Sequence, residues 1–524
     1  MKDVFDPRCY TYQETAVEFA TFDKKLKELF DKAEELCKKN RKNFDGYNVL
    51  IEGEKYNGVW LETQPMGGEM YAKRDIGAAL SNILIFMRNQ RADGKLPGMI
   101  TYDSCVRTQA YYAWMQGCFL PDAAFKLYYL TGKEPEYLMA LYNTLEKFDG
   151  YLWKYRDSDG DGCLETWCVW DTGEDNFTAY IFNGAEELYI GGHDDVVPPK
   201  IGGFPYESPQ YMSYSYACRR VLAEISDILG TGKGDQWRKM ADDVKKRFRE
   251  YLWDDEKKAC FMKDCDNNTV DCLSQENIKC MYGGIFDQDM ADAFIREHLL
   301  NKEEFWTSYP IPSIAVNNPY FHTNEEYSNC YEKLVEFGKG EGNINVNSWS
   351  GPVNGLTLQR VIGALLNYNH HAEIVAIGKK VEDLLKKNKV FVQNYNPFTG
   401  EKHGEGDGYG PTILAFLEYV SLMYGVNIAK DEVLWTGIEN DGDYEYTQKM
   451  FGHSFTLKHK GSKNCAYIDN EEKFVFSENV RVRTDLDGNI IAFYGIAPEK
   501  AETFVECNGN KYTAVIAPNE EVTV

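Results

Sequence analysis

The sequence predicts a mainly α protein, an (α/α)6 toroid barrel followed by a small C-terminal β-sandwich. Three observations predict it. About twelve amphipathic helical segments follow one another up to about residue 430, with few strand signals between them. No fixed repeat period links them, which argues against a helical solenoid. After about residue 434 the texture changes to short alternating runs. The expected division is therefore a catalytic barrel over 1–430 and an all-β domain over 431–524.

The first helix carries Leu26, Leu29, Phe30, Ala33, Leu36 and Cys37 at the 3.6-residue period, with Asp23 placed as its N-cap. Further helices are expected at roughly 72–91, 118–131, 135–153, 178–191, 209–229, 235–252, 284–299, 324–338 and 354–369. Ile374, Ile377, Val381, Leu384 and Leu385 mark the next, and 410–424 the last. Twelve helices with long loops suit six helical hairpins closed around a central pocket, the loops gathered at one end. In the tail, Phe455-Thr456-Leu457, Phe474-Val475-Phe476 and Val480-Arg481-Val482-Arg483 alternate, and Asp487-Gly488 between two such runs signals a hairpin.

The 524 residues suffice for a large buried core, and the net charge of −25 disfavours nucleic acid and anionic membranes as partners. The densest basic run, Lys38 to Lys42, closes a predicted helix, where cations suit the dipole. No stretch reaches the roughly 20 apolar residues that span a bilayer. The first residues lack the apolar core of a signal peptide. The 14 cysteines are scattered without a CxxC pair, as expected of reduced thiols in a cytoplasmic protein. Aromatics reach 14%, which fits both a large helical core and a site that stacks rings on sugar faces. HExxH, GxSxG and Walker A patterns are absent, and His370-His371 lies between predicted helices, so zinc, serine-hydrolase and nucleotide chemistries are disfavoured.

The densest chemical signal is Trp167-Cys168-Val169-Trp170-Asp171-Thr172-Gly173-Glu174-Asp175-Asn176. Cleaving a glycosidic bond requires a carboxylic acid that protonates the leaving oxygen. Apolar walls and neighbouring carboxylates both favour the protonated form, and this segment supplies both. The same residues also suit the acidic first turn of a helix, with Asp175 or Asn176 as cap. Just upstream, Asp157-Ser158-Asp159-Gly160-Asp161-Gly162 has the spacing of a calcium loop, but its last ligand position is Cys168 rather than Glu. The preferred reading is a solvated turn and no cofactor; calcium at Asp157, Asp159 and Asp161 is the alternative.

These residues resemble the inverting (α/α)6 glycosidases of glycoside hydrolase family 63 and the related trehalases. In that group a D-x-D-G-D-G stretch precedes a (D/E)-S-G-x-D-(N/F)-S loop, matched here by Asp171 to Phe177. The resemblance implies Asp175 as general acid, with Trp170, Asp171, Glu174 and Asn176 beside the sugar. Trp349-Ser350-Gly351-Pro352-Val353-Asn354 resembles the family's W-R-G-P-V-W, with Ser350 and Asn354 departing from it. Trp349 and Gly351 are implied as sugar contacts. Gln393-Asn394-Tyr395-Asn396-Pro397-Phe398-Thr399-Gly400 matches E-x-Y-N-P-x-T-G, whose Glu is the general base, and Tyr395 follows as a contact. Pro65 to Asp75 resembles the trehalase P-G-G-R-F-x-E-x-Y-x-W-D and implies Arg74 and Asp75 as sugar ligands. Gln116, Glu405, Tyr409, Trp60, Tyr71, Trp114 and Glu69 complete the candidates, the aromatics having core packing as the competing reading.

Gln393 departs where the chemistry is most demanding. In an inverting hydrolase the second carboxyl lies about 6.5–9.5 Å from the acid and deprotonates a water. A glutamine amide holds a water but does not activate one. Three readings stand: a Glu→Gln replacement in an otherwise intact motif, which is preferred; a substitute carboxylate, Glu405 or Asp407; or phosphate as acceptor, which needs no base. The expected function is an inverting, exo-acting glycoside hydrolase for an α-glycosidic bond, an α-glucoside foremost, in a small oligosaccharide or glycoside. An inverting phosphorylase and a non-catalytic sugar-binding protein are the alternatives.

Overall fold

The computed structural model describes residues 2–53, 55–184, 196–337, 349–507 and 509–524. Helices at Pro209–Leu229 and Gly410–Tyr424 fall where the sequence places them. The expected 72–91 helix is shorter, Ile76–Arg88, because Asp75 accepts the Ala78 N–H at 2.9 Å and caps it there. The expected 284–299 helix is Gln288–Phe294 continued by a π-helical turn, Ile295–Leu299. Of the helices expected at 178–191 and 324–338, the described parts are Thr178–Phe182 and Tyr331–Glu336; 185–191 and 338 lie outside the described residues.

Besides the one-turn helix Val169–Thr172, two eight-residue helices escape the sequence pattern: Gln64–Tyr71 and Glu276–Gly283. All but Glu69 of the first and every residue of the second are buried, so neither shows the one-sided stripe that marks a surface helix. Both lie on the inner side. Helix contacts close a circuit from Gln64–Tyr71 to Leu120–Leu130, Pro209–Leu229, Glu276–Gly283, Gly355–Asn367, Gly410–Tyr424 and back to Gln64–Tyr71. Helices with a stripe lie outside this circuit. Lys24–Lys39 buries Leu26, Leu29, Phe30, Ala33 and Cys37 against Gly410–Tyr424, and Gly234–Tyr251 buries Trp237, Ala241, Val244 and Phe248 against Pro209–Leu229. The chain is thus a mainly helical barrel with a strand-rich C-terminal region. Among the described residues no helix is long and apolar enough to cross a membrane.

The strand-rich region is two antiparallel sheets, of seven and five strands. Buried Trp435 of the smaller sheet meets Phe474 of the larger edge to face, with ring centroids 5.6 Å apart. The two sheets draw strands from outside 431–524. Strand Ala16–Thr21 pairs with Tyr444–Met450 in the larger sheet, and the smaller sheet begins at Val426. Burying Phe19 against Phe30 and Tyr446 draws the N-terminal strand into that sheet. Buried Arg481 fastens sheet to barrel, donating to the Leu422 carbonyl at 2.5 Å and to Thr436 Oγ1 at 2.9 Å.

Candidate active site

The Asp175 loop follows the short helix Val169–Thr172. Gly173 ends that helix at φ 73°, and a Cβ there would lie 2.5 Å from Oε1 of Glu62. The loop therefore closes onto the Glu62 carboxylate only because this position lacks a side chain. Asn176 also adopts positive φ, 59°. Ser350 Oγ donates to the Asn176 carbonyl at 2.8 Å and accepts the Thr178 N–H at 2.9 Å. The chain just after Asp175 is thus tied to the 349–354 loop. Asp175 itself is exposed.

The 349–354 loop is joined in turn to Gln393. Asn354 caps helix Gly355–Asn367 through the Leu356 N–H at 2.8 Å and donates to Asn394 Oδ1 at 2.9 Å. Gly355 donates its N–H to the Gln393 carbonyl at 2.9 Å. Strand Asn394–Tyr395 pairs with Val353–Asn354 on one side and Lys402–His403 on the other. The two positions that depart from W-R-G-P-V-W, Ser350 and Asn354, are therefore the ones that lash the acid loop and the Gln393 loop together.

Tyr56 links the two chemical positions. Its hydroxyl lies 3.5 Å from Gln393 Oε1, and burial, with the charges of Glu52 and then Asp175, pushes the Tyr56 phenol up. Glu52 beside it accepts from the Tyr409 hydroxyl at 2.8 Å and faces Thr63 Oγ1 at 3.5 Å. Burial pushes the Glu52 carboxyl up to about 8, with the charges of Glu62 and Asp175 adding to it against the Tyr409 and Thr63 hydrogen bonds. A carboxyl held protonated near neutral pH thus stands in the same neighbourhood as Asp175 and Gln393. Beneath it, buried Glu62 pairs with buried Arg360.

A cavity of about 180 Å³ opens beside Gln393, walled by Lys55, Tyr56, His403, Glu405, Tyr409 and the glycine-rich backbone 404–408. Tyr56 is among its walls and Asp175 is not. Glu405 is exposed there, whereas Asp407 is engaged in holding the loop. Asp407 accepts the Phe391 N–H at 2.7 Å and the Gly408 N–H at 2.8 Å, and its other oxygen meets Lys32 at 2.5 Å. Half-buried Trp170 meets Trp114 edge to face at 5.0 Å. The buried Trp114 Nε1 has no partner among the described residues.

Several expected sugar ligands have other work. Asp171 is buried and accepts from Arg156 at 2.6 Å, Met115 N–H at 2.9 Å and Trp167 N–H at 3.0 Å. It thereby holds the loop bearing Gln116, which takes a left-handed φ of 57°. Glu174 is buried in an ion pair with Lys279 at 3.1 Å and accepts from Gln275 at 3.2 Å. Tyr395 is fully buried, and its hydroxyl donates to the Val390 carbonyl at 2.8 Å. Trp349 is buried 5.7 Å from the Arg360 guanidinium. Gly351 is required by the backbone, since a Cβ there would lie 2.5 Å from the His322 carbonyl. Arg74 and Asp75 leave the site altogether. The eight-residue helix Gln64–Tyr71 carries the chain roughly 12 Å onward from Thr63. Arg74 then pairs with Glu34 at 2.6 Å, and the Lys73 carbonyl accepts from Gln448 of the larger sheet at 3.0 Å. Glu52, Lys55, Tyr56, Glu62, Arg360 and His403 carry no motif that marks them in sequence.

The helical barrel and the family it matches define a protein of the glycoside hydrolase class. Residues 71–412 match the profile of the mannosylglycerate hydrolase MGH1-like glycoside hydrolase domain, and the chain belongs to that family. No curated protein matches the chain in sequence. Among solved structures it is similar to the GH63 mannosylglycerate hydrolase of Thermus thermophilus in complex with glucose. That match has 17% identity, a TM-score of 0.59, and covers 75% of this chain and 99% of that one. It is also similar to the neutral trehalase of Saccharomyces cerevisiae, at 12% identity and TM-score 0.51, over 72% of this chain and 74% of that one. A GH78 rhamnosidase of Bacillus sp. GL1 matches at 11% identity and TM-score 0.54, over 86% of this chain and 40% of that one. At such identities the likeness is one of fold.

Proposed function

We propose that the chain is an inverting, exo-acting α-glycosidase for a small glycoside, and we read the helix circuit as the inner ring of an (α/α)6 toroid. Asp175 protonates the leaving oxygen, and position 393 faces the attacking nucleophile. The observation that carries this reading is Tyr56, 3.5 Å from Gln393 and within reach of the Asp175 charge. Trp170 and Trp114 form the stacking wall, and the unpartnered Trp114 Nε1 donates to a sugar hydroxyl. The small cavity supports a short substrate, being below the usual volume of ligand sites. An α-glucoside is the first substrate to test, and cysteines outside any disulfide among the described residues support a cytoplasmic setting.

With Gln393 in place, the base position holds an amide, and Glu405 is the carboxylate left facing the cavity among the described residues. A second reading has a specific observation in its favour. Lys55, His403 and the glycine-rich backbone wall the cavity beside Gln393, which suits a phosphate acceptor better than an activated water. One screen separates the readings. Aryl glycosides and short oligosaccharides are incubated with the chain and with Gln393→Glu, with and without phosphate, and the first-formed anomer is followed by NMR. Inverted free sugar, enhanced by Gln393→Glu, supports hydrolysis. Sugar 1-phosphate formed only with phosphate selects the phosphorylase. Sugar binding without turnover in either protein rejects both.

A further inference from the structure

The larger sheet of the C-terminal region ends on strand Asn510–Ile516, seven residues paired on one side, with Ala501–Cys507. An open sheet edge presents a row of unpaired N–H and C=O groups, and proteins blunt such edges by shortness, charge or cover. The other edge strands of the two sheets are managed in these ways. Glu521–Thr523 has three residues, and Val426–Ala429 has four and lies against helix Gly410–Tyr424. Ala16–Thr21 carries Glu18, paired with Lys449 at 2.8 Å, and packs Phe19 on the barrel's Phe30.

Asn510–Ile516 has none of these devices. Its one charge is Lys511, whose ammonium is folded back over its own sheet, 4.3 Å from the Phe504 ring centroid, and leaves the outer edge clear. The strand is exposed from Asn510 to Thr513 and again at Val515. Paired residues share a face of the sheet. Tyr512 stands on the face of buried Val505, Thr503 and Ile516, yet is 38% exposed. Val515, on the other face, is 66% exposed. The chain's own core covers neither.

We propose that two copies of this chain join edge to edge through Asn510–Ile516, antiparallel and two-fold symmetric about Thr513, fusing their seven-stranded sheets. The strand is complementary to itself in that register. Thr513 meets Thr513 of the second copy, Tyr512 meets Ala514, Lys511 meets Val515 and Asn510 meets Ile516, so all seven residues pair. Each pair joins residues of the same face, and the core side of one sheet continues into that of the other. Threonine on threonine and an aromatic beside a small residue are compatible cross-strand neighbours, and the two Lys511 side chains stand four residues apart. Moving the centre to Tyr512 or Ala514 leaves two residues at the end of each strand without a strand partner. An isologous contact closes on itself, so assembly stops at the dimer. One strand pair buries little area, so the dimer dissociates on dilution.

Sedimentation equilibrium of the full-length protein tests the contact, from about 1 to about 300 μM in about 0.5 M sodium chloride, which screens the repulsion between two chains of charge −25. The mean mass is expected to rise with concentration toward twice that of one chain. Val515→Lys guards the edge and stands in register with Glu502 of its own chain, so the fold and the melting temperature are kept. It is expected to weaken association at least roughly tenfold. Cysteine variants read the register. Under copper–phenanthroline oxidation Thr513→Cys gives a reducible covalent dimer, because the two positions face each other. Val515→Cys does not, its two copies standing roughly 13 Å apart along the strands. The parent protein, with exposed Cys105, sets the background. The mass of one chain at every concentration overturns the proposal, as does association untouched by Val515→Lys. So does cross-linking of Val515→Cys as efficient as that of Thr513→Cys.

Discussion

The Tyr56 hydroxyl lies 3.5 Å from Oε1 of Gln393. Burial, with the charges of Glu52 and Asp175, also pushes that phenol up, so the Asp175 charge acts on the group beside the base position. Moving that hydroxyl separates binding from chemistry. Tyr56→Phe is expected to raise KM several-fold and to lower kcat by about tenfold, measured by steady-state kinetics on whichever glycoside the screen selects. An unchanged kcat/KM removes Tyr56 from the site.

Gln393→Glu is expected to raise hydrolysis by roughly 10²–10⁴-fold, the usual contribution of a positioned general base. Initial rates in phosphate-free buffer check it. No gain means that position 393 does not face the nucleophilic water.

Ser350 makes two hydrogen bonds to the acid loop while fully buried. Ser350→Ala leaves the Thr178 N–H bare and is expected to cost about 1–3 kcal/mol. Denaturant unfolding measures that loss. The looser loop also lowers kcat more than it changes KM.

Gly173→Ala is expected to be worse than an ordinary surface change. It combines a φ of 73° with a Cβ placed 2.5 Å from Glu62 Oε1, at a cost on the order of 2–3 kcal/mol for the backbone alone. A melting curve within a degree of the parent's contradicts the close approach.

Glu52 and Glu276 are pushed by burial from the ordinary 4.5 up to about 8. In this range the folded chain holds protons that the unfolded chain has released. Their contribution to stability is therefore full below about pH 4.5 and falls as pH rises through about 8. Glu276→Gln keeps the shape without the titration, so the stability gap between variant and parent should shift in the variant's favour between about pH 5 and about pH 9. Parallel unfolding free energies across that interval contradict the assignment.

The legible parts of this chain are those where one element answers to one local pattern. The helix Lys24–Lys39 shows its stripe and its Asp23 cap, and Asp23 does accept the Lys25 and Leu26 N–H groups. Gly410–Tyr424 is buried on all sides, yet the flanking Gly410-Pro411 and Gly425 still delimit it. Gln64–Tyr71 has the same burial but begins with proline and carries Gly67 and Gly68 inside, so neither stripe nor boundary survives in the sequence. Arg74 and Asp75 are misplaced for that reason, since a motif match fixes order along the chain but not the turn of helix that intervenes. The acid loop is legible because its carboxylates and tryptophans are contiguous. Glu52 is not, because it owes its protonation to packing.

In the proposed chemistry Asp175 delivers the proton to the leaving oxygen. The most direct measurement compares Asp175→Asn with the parent on two substrates, a natural glycoside and an aryl glycoside whose leaving group needs no proton. A loss of at least roughly a hundredfold is expected on the first and a much smaller loss on the second. Equal activity of parent and variant on the natural glycoside contradicts it.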